Sequence, residues 1–214
     1  MASRIDRSLV ADTALRLLND VGLEGLTLRR IAQELDCRAP ALYWHFKNKQ
    51  ELLDEMATVI FRRMADDLTA LDPGDWRTFL ADCARVQRRA LLEYRDGAKV
   101  FGGTRFTDDS YAGPLERAMR VLVAAGFTPR AAARAWFTVN TYTMGHVMEE
   151  QSVYPVPGGE RDPVYDLSER ARRIEGHPLA TEAGWEVFGD LEAGFEAGLR
   201  AVVAGVEATL LPAQ

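Results

Sequence analysis

The sequence predicts an all-α fold, and three observations support this prediction. Apolar residues recur at spacings of three and four through most of the chain, which places them on one face of a helix. No convincing run of alternating β-branched residues has the length of a strand. Capping residues, prolines and glycines separate the periodic segments at intervals typical of helices.

The composition is that of a globular protein. Of 214 residues, 47% are apolar and 27% are charged, which excludes a disordered, collagen-like or coiled-coil chain. A chain of this size forms a core without disulfides, so Cys37 and Cys83 are expected to be free thiols. The apolar runs are far shorter than the ~20 residues that cross a bilayer, and charges interrupt the amino-terminal segment. We therefore expect no membrane partner, no secretory signal and a cytoplasmic location.

The amino-terminal region predicts three short helices. The first has an apolar face from Val10 to Val21 and ends at Gly22, because glycine tolerates the backbone conformation that terminates a helix. Thr27 is the predicted N-cap of the second helix. Pro40 begins the third, Ala41 to His45, since the first turn of a helix needs no amide donor.

A longer fourth helix follows. Asn48 and Glu51 have the spacing of a capping box, and apolar residues continue at helical spacing from Leu52 to Met64. The predicted organisation is a three-helix domain at 1–48, a connecting helix at 49–66 and a second helical domain at 67–214.

The second domain also shows helical periodicity. Leu71 to Asp75 is a predicted turn, glycines interrupt the chain near residues 97–103, and prolines and glycines predict a loop from Val153 to Asp162. The predicted helices are Trp76 to Glu93, Ala112 to Ala125, Thr128 to about Glu150, and Trp185 to Leu211.

The last predicted helix carries a large apolar stripe beside small residues, a pattern typical of closely packed helices. We expect this stripe to form a twofold interface between two copies of the chain, the commonest oligomer geometry. The alternative is an ordinary core helix. The predicted interface residues are Phe188, Leu191, Phe195, Leu199, Val202 and Val206.

Charge is unevenly distributed along the chain. Residues 1–50 hold eight basic and six acidic residues, a net charge of +2. The rest of the chain has a net charge of −8, so the whole chain has a net charge of −6. A basic end on an acidic body is expected when only that end meets a polyanion. The second and third helices, separated by a tight turn, form a candidate helix-turn-helix motif, whose second helix enters the major groove of DNA.

Two segments closely resemble the DNA-binding head of the tetracycline repressor (TetR) family: residues 26–35, LTLRRIAQEL, and 40–49, PALYWHFKNK. Tyr94 to Val100, YRDGAKV, and the following Gly103 to Arg105 are most similar to the tetracycline repressor subgroup itself. The resemblance implies an amino-terminal helix-turn-helix DNA-binding domain and a carboxy-terminal helical domain for ligand binding and dimerisation. It implies a homodimeric repressor that binds palindromic double-stranded operator DNA and is released by a small-molecule inducer.

The resemblance also implies roles for residues of the head. Arg29 matches a base-reading arginine, whose guanidinium suits a guanine edge, and Tyr43 matches a backbone-contacting position. Trp44 is expected to be mostly buried. Ala39 and Ala41 stand where tetracycline repressors carry polar base-contacting residues, so a different operator sequence is expected. The candidate DNA-binding residues are Thr27, Arg29, Arg30, Arg38, Ala39, Pro40, Ala41, Tyr43, Trp44, His45, Lys47 and Lys49.

The body departs from the tetracycline repressors at drug-binding positions. Phe101 replaces the histidine that binds the drug's magnesium, and Cys83 and Gln87 replace an asparagine and a phenylalanine of that pocket. A phenyl ring offers magnesium no donor atom. The sequence thus predicts an apolar or aromatic ligand that binds without a metal or other cofactor. The candidate ligand-binding residues are Cys83, Gln87, Phe101, Thr104, Arg105, Arg117, Trp136, Phe137, Asn140, Thr143, His146 and Glu149.

Two other functions stay open at this point. His146, Glu149 and Glu150 could serve a small all-α enzyme as acid and base, although no nucleophile motif or cofactor loop accompanies them; an exposed ion pair among them is the expectation. The chain could also be a DNA-binding regulator without a ligand, and the absence of a cavity in the body would favour that alternative.

Overall fold

The computed structural model describes residues 6–212, so the ends of the predicted domains 1–48 and 67–214 lie partly outside the described residues. Within these residues the chain forms eleven α-helices, one short 3-10 helix and no strand, which confirms the all-α prediction. The helices are α1 Arg7–Gly25, α2 Leu28–Glu34, α3 Ala39–Tyr43, α4 Lys49–Ala70, α5 Trp76–Leu92, α6 Gly97–Phe101, α7 Ala112–Ala124, α8 Pro129–Val153, α9 Leu167–Arg173, α10 Pro178–Gly189 and α11 Leu191–Leu210, with the 3-10 helix at Pro163–Tyr165.

The predicted N-caps of α2 and α4 are confirmed, whereas α3 begins at Ala39, two residues before the predicted segment Ala41 to His45. The Thr27 side chain accepts a hydrogen bond from the Arg30 amide at 3.2 Å, and the Asn48 side chain accepts one from the Glu51 amide at 2.9 Å. The Glu51 carboxylate accepts from the amide of Lys47 at 2.9 Å, one residue before the position that a standard capping box uses.

Helix α4 belongs to both parts of the molecule. Leu52, Met56 and Ile60 are buried in a core cluster with α1 to α3, whereas Phe61 and Met64 pack in a second cluster with α5 and α7. The helix extends to Ala70, beyond the predicted connecting segment. A movement of α4 therefore changes the position of the head relative to the body.

In the body, an ion-pair network centred on the buried Arg88 joins α5, α8 and α11. The Arg88 guanidinium donates to the Glu150 carboxylate at 2.8 and 2.9 Å and also to Glu192. Burial acts to lower the pKa of Arg88, but these carboxylates raise it overall, so the side chain stays charged. The same guanidinium lies over the Phe195 ring at 4.9 Å. This network ties the three longest body helices together.

The carboxy-terminal part of the sequence analysis needs correction. The predicted helix from Trp185 to Leu211 is two helices, because Asp190 leaves helical geometry and caps α11 by accepting from the Ala193 amide at 2.9 Å. Helices α6 and α9 and the first half of α10 were not predicted. Helix α6 has five residues and α9 has seven, most of them charged, so neither carries a clear apolar periodicity.

The apolar stripe of α11 faces the core of its own chain. Phe195 and Leu199 are fully buried against α5 and α8, and Leu191 and Val206 are buried as well. The expectation that this stripe contacts a second copy is wrong for these buried side chains. Of the predicted interface residues on α11, only Val202 is partly accessible.

The remaining predicted interface residue, Phe188, belongs to a different helix. It lies on α10 and is half-buried, and its ring is 6.0 Å from that of Tyr165.

No helix within residues 6–212 is both long enough and apolar enough to span a membrane.

Candidate DNA-binding surface and ligand cavity

Helix α3 presents one face to the head core and the opposite face to solvent. Leu42 and Phe46 are fully buried, one helical turn apart, and anchor the segment. Tyr43 and Trp44 lie between them in sequence and point outward, with Trp44 91% exposed. The expectation that Trp44 is mostly buried is therefore wrong, because the core-facing positions are already occupied by its neighbours at 42 and 46.

The exposed surface around α2 and α3 is basic. Arg29, Arg30, Arg38 and Lys47 are exposed, and none of them forms an ion pair with another described residue. Exposed cations without an ion-pair partner are suited to phosphate and base contacts.

Other predicted DNA-binding residues have structural partners. Lys49 donates to the Leu23 carbonyl at 2.7 Å, and the His45 carbonyl accepts from Arg7. Among the candidates, Thr27 and Pro40 are exposed. Ala39 and Ala41 are half-buried on α3.

The body contains an aromatic cavity of about 170 Å³ between α4, α5, α8 and the loop that precedes α7. Phe106 lies at the centre of an aromatic cluster, with ring centroids 5.1 Å from Phe61, 5.6 Å from Phe101 and 5.4 Å from Tyr111. The side chains that line the cavity are Phe61, Met64, Leu68, Cys83, Gln87, Phe101, Phe106, Tyr111, Leu115, Trp136 and Asn140.

Five predicted ligand-binding residues line this cavity: Cys83, Gln87, Phe101, Trp136 and Asn140. The six lining residues that sequence reasoning missed come from two sources. Those of α4 and α7 have the spacing of ordinary core residues, so periodicity gives no sign of a cavity next to them. Phe106 and Tyr111 lie in a loop without helical periodicity, where a local concentration of aromatic residues was the only available signal.

The remaining candidates lie elsewhere. Phe137 is 71% exposed on the outer face of α8, and Arg117 donates to the carbonyls of Thr69 and Leu71 at the end of α4. Arg105 is exposed, and the Thr104 hydroxyl donates to the Phe101 carbonyl at 2.7 Å.

Three candidates on the carboxy-terminal half of α8 are also outside the cavity. Thr143 is fully buried and donates to the Val139 carbonyl at 2.9 Å. His146 Nε2 lies 2.9 Å from the Leu191 carbonyl, and Glu149 is exposed. The expected ion pair of His146 with Glu149 or Glu150 is not formed, because Glu150 binds Arg88 instead.

The cavity residues do not suit magnesium. Magnesium in proteins is bound mainly by oxygen atoms in octahedral geometry, whereas the lining side chains offer only amide and phenol oxygens among aromatic and aliphatic groups. Glu149 and His146 do not line the cavity, and no group of three or more His, Cys, Asp or Glu residues suitable for a metal occurs within residues 6–212. Burial raises the pKa of the Cys83 thiol to about 12, so it remains a neutral wall residue.

A polar network connects the cavity loop to the head. Glu55 on α4 is 5% exposed, and its Oε2 accepts from Arg7 Nε at 3.2 Å and from Thr107 Oγ1 at 3.0 Å. Arg7 belongs to the head, and Thr107 directly follows the cavity residue Phe106. The Thr107 amide also donates to Thr58 Oγ1 at 2.9 Å. The loop that carries two aromatic walls of the cavity is therefore bonded to the helix that holds the head.

Comparison with known proteins finds two family models that match the chain. Residues 10–56 match the family model for bacterial regulatory proteins of the tetR family, and residues 69–210 match the model for the tetracyclin repressor-like C-terminal domain. The tetracycline repressor protein class C of Escherichia coli is 40% identical over 210 residues, covering 96% of this chain and 92% of that protein.

Solved structures of the same family are similar to this chain over almost its whole length. A possible TetR family transcriptional regulator from Streptomyces coelicolor A3(2) superposes with a TM-score of 0.81 at 39% identity, covering 95% of this chain and 99% of that one. A single-residue variant of TetR from Acinetobacter baumannii AYE, in complex with minocycline, gives a TM-score of 0.72 at 35% identity, covering 96% and 98%. The chain belongs to the tetR family of bacterial regulatory proteins, which are DNA-binding transcription regulators and not enzymes.

Proposed function

We propose that this protein is a homodimeric repressor that binds a palindromic operator and releases it when a small molecule, bound without magnesium, occupies the aromatic cavity. One observation carries the proposal: α4 is packed into the head by its first half and forms a wall of the cavity with its second half. The proposed division is a head at 1–48, a connecting helix at 49–66 and a body at 67–214.

The proposed release depends on the loop from Gly102 to Tyr111. A ligand that displaces Phe106 or Tyr111 also shifts Thr107 and its bonds to Glu55 and Thr58 on α4. Major grooves on one face of DNA are about 34 Å apart, so a shift of a few ångströms in each head prevents both from docking. The ligand must bind the shifted state more tightly than the DNA-bound state, since equal affinity would release nothing.

The exposed faces of α8 and α11 are the proposed dimer surface. Phe137 on α8 stands beside a groove that also contains Val202 and Gly205 of α11, and a side chain built at Gly205 would meet open space. An exposed large aromatic residue next to small residues favours close packing of helices from a second copy. This surface replaces the buried stripe that the sequence favoured.

Selection of bound duplexes from a random 30-base-pair pool tests the DNA part of the proposal. We expect an inverted repeat to be enriched, with half-sites whose centres are about one helical turn apart or a multiple of it. Arg29→Ala should abolish the enrichment or make the enriched sequence less specific. Arg120→Ala, on the exposed face of α7, makes the same change of charge and should leave the enrichment unchanged. Enrichment of no sequence, or of a single half-site, would contradict the proposal.

Light scattering during size exclusion tests the dimer. The parent chain should elute with the mass of two copies, and Phe137→Ser should shift the equilibrium to one copy. Val123→Ser is the matched control, because Val123 is exposed on α7 and does not line the α8–α11 groove. A parent chain that is monomeric at micromolar concentration would refute this part of the proposal.

A further inference from the structure

We propose that Gln87 and Asn140 form a polar anchor inside the cavity, and that the anchor selects a neutral, single-ring aromatic ligand carrying a group that both donates and accepts hydrogen bonds. This inference deepens the proposed function and rests on it, because it names the class of molecule that the cavity takes.

The side-chain amide of Gln87 faces the cavity and has no protein partner among the described residues. The residue lies on α5, is 4% exposed and lines the cavity, and its side-chain amide makes no hydrogen bond to any residue between 6 and 212. The buried side-chain atoms that lack a partner among the described residues are Ser110 Oγ and Arg161 Nη1, so the Gln87 amide is accessible from the cavity and is not enclosed by protein. The Gln87 amide thus has one acceptor and two donor hydrogens available to a molecule in the cavity.

Asn140 completes the anchor from the facing helix α8. Its Nδ2 donates to the Trp136 carbonyl at 2.8 Å, which fixes the orientation of the amide and leaves Oδ1 as an acceptor. Both residues line the same cavity. Together they offer hydrogen-bond donors and acceptors to a ligand in this cavity.

The rest of the wall determines the other properties of the ligand. None of the lining side chains carries a charge, so a charged ligand would lose its hydration without compensation. Five of them are aromatic, which favours stacking or edge contacts with a ring. The volume of about 170 Å³ is close to the ~150 Å³ of an apolar protein cavity that holds one benzene. A ring with a carboxamide or hydroxyl group fits all three conditions.

Calorimetry on the full chain without DNA tests the anchor with benzamide, toluene and benzoate as probes. We expect benzamide to bind more tightly than toluene, and benzoate not to bind. Gln87→Leu should weaken benzamide binding roughly tenfold, because about one good hydrogen bond is lost, and should change toluene binding by less than about threefold. Asn140→Leu should also weaken the binding of benzamide. Gln50→Leu, on the exposed start of α4, is the matched control.

Thermal unfolding separates an anchor from a structural residue. Because the Gln87 amide bonds to no other described residue in the free protein, Gln87→Leu should not lower the melting temperature, although it lowers benzamide affinity. A variant that melts lower and binds benzamide normally would overturn the proposal, as would benzamide that fails to bind the parent chain at millimolar concentration. Failure of the proposed function is seen separately, as benzamide that binds the cavity but does not release the selected operator.

Discussion

Replacement of Glu55 by Gln tests the connection between head and body. The substitution keeps the shape of the side chain and removes its charge, so the bonds from Arg7 and Thr107 and the ion pair with Arg62 at 3.6 Å become weaker. We expect lower stability together with a weaker coupling between the cavity and the DNA-binding head.

The magnitude follows from burial. Hydrogen bonds to a buried charged group contribute roughly 1.5–3 kcal/mol. The Arg7 and Arg62 side chains are about two-fifths exposed and regain contact with water when the carboxylate is lost. Their contribution to the loss of stability is therefore smaller. The expected loss is about 2 kcal/mol in the free energy of unfolding, or roughly 4–8 °C in Tm for a chain of this size.

The assay is urea unfolding followed by circular dichroism, together with anisotropy of a labelled operator. Asp66→Asn is the matched control, because Asp66 is exposed on the same helix and makes no ion pair with a described residue. Thr107→Val combined with Glu55→Gln completes a double-mutant cycle, in which the two losses should not add. Equal stability of Glu55→Gln and Asp66→Asn, or fully additive losses, would refute the reasoning.

Three further predictions concern stability. Asn48→Ala removes the cap of α4 and should lower the free energy of unfolding in urea by about 1 kcal/mol. An unchanged free energy of unfolding would contradict a stabilising role of this cap. Arg88→Met should cost about 3 kcal/mol, because it leaves the buried Glu150 carboxylate unpaired; Glu150→Gln made in the Arg88→Met background should recover part of the loss. Burial opposes ionisation of Asp96, but hydrogen bonds from Lys99 and the Leu23 amide lower its pKa overall. Asp96→Asn should therefore destabilise the protein above about pH 4, with a difference from the parent chain that shrinks as pH falls through the lowered pKa; a constant difference from pH 7 to pH 3 would contradict this.

Helix starts were accessible from the sequence because capping is local. Thr27 and Asn48 bond to amides three residues later, so the pattern that identifies them lies within one helical turn. The helix-turn-helix motif of the head was predictable for the same reason, because the residues that identify it lie in two short segments close together in the sequence. Trp44 was misplaced because exposure on a five-residue helix depends on which neighbours reach the core, and Leu42 and Phe46 do so.

The cavity was only half predictable. Gln87 and Asn140 were named from the resemblance to the tetracycline repressors and from their polarity. Phe106 and Tyr111 were not, because their place in the wall depends on how one loop folds onto α4, which no periodicity records. The unpaired state of Gln87 is also a tertiary property, since it is defined by the partners that folding does not bring to it.

Short-range patterns in the chain were sufficient for the helical class, for most of the major helix starts and for the DNA-binding motif, because each depends on residues within a few positions of one another. Which face of α11 is inside, where the aromatic cavity lies and how Glu55 joins its loop to the head depend on helices that are far apart in sequence. Those features follow from packing, in which each helix face is buried or exposed according to what the other helices leave free.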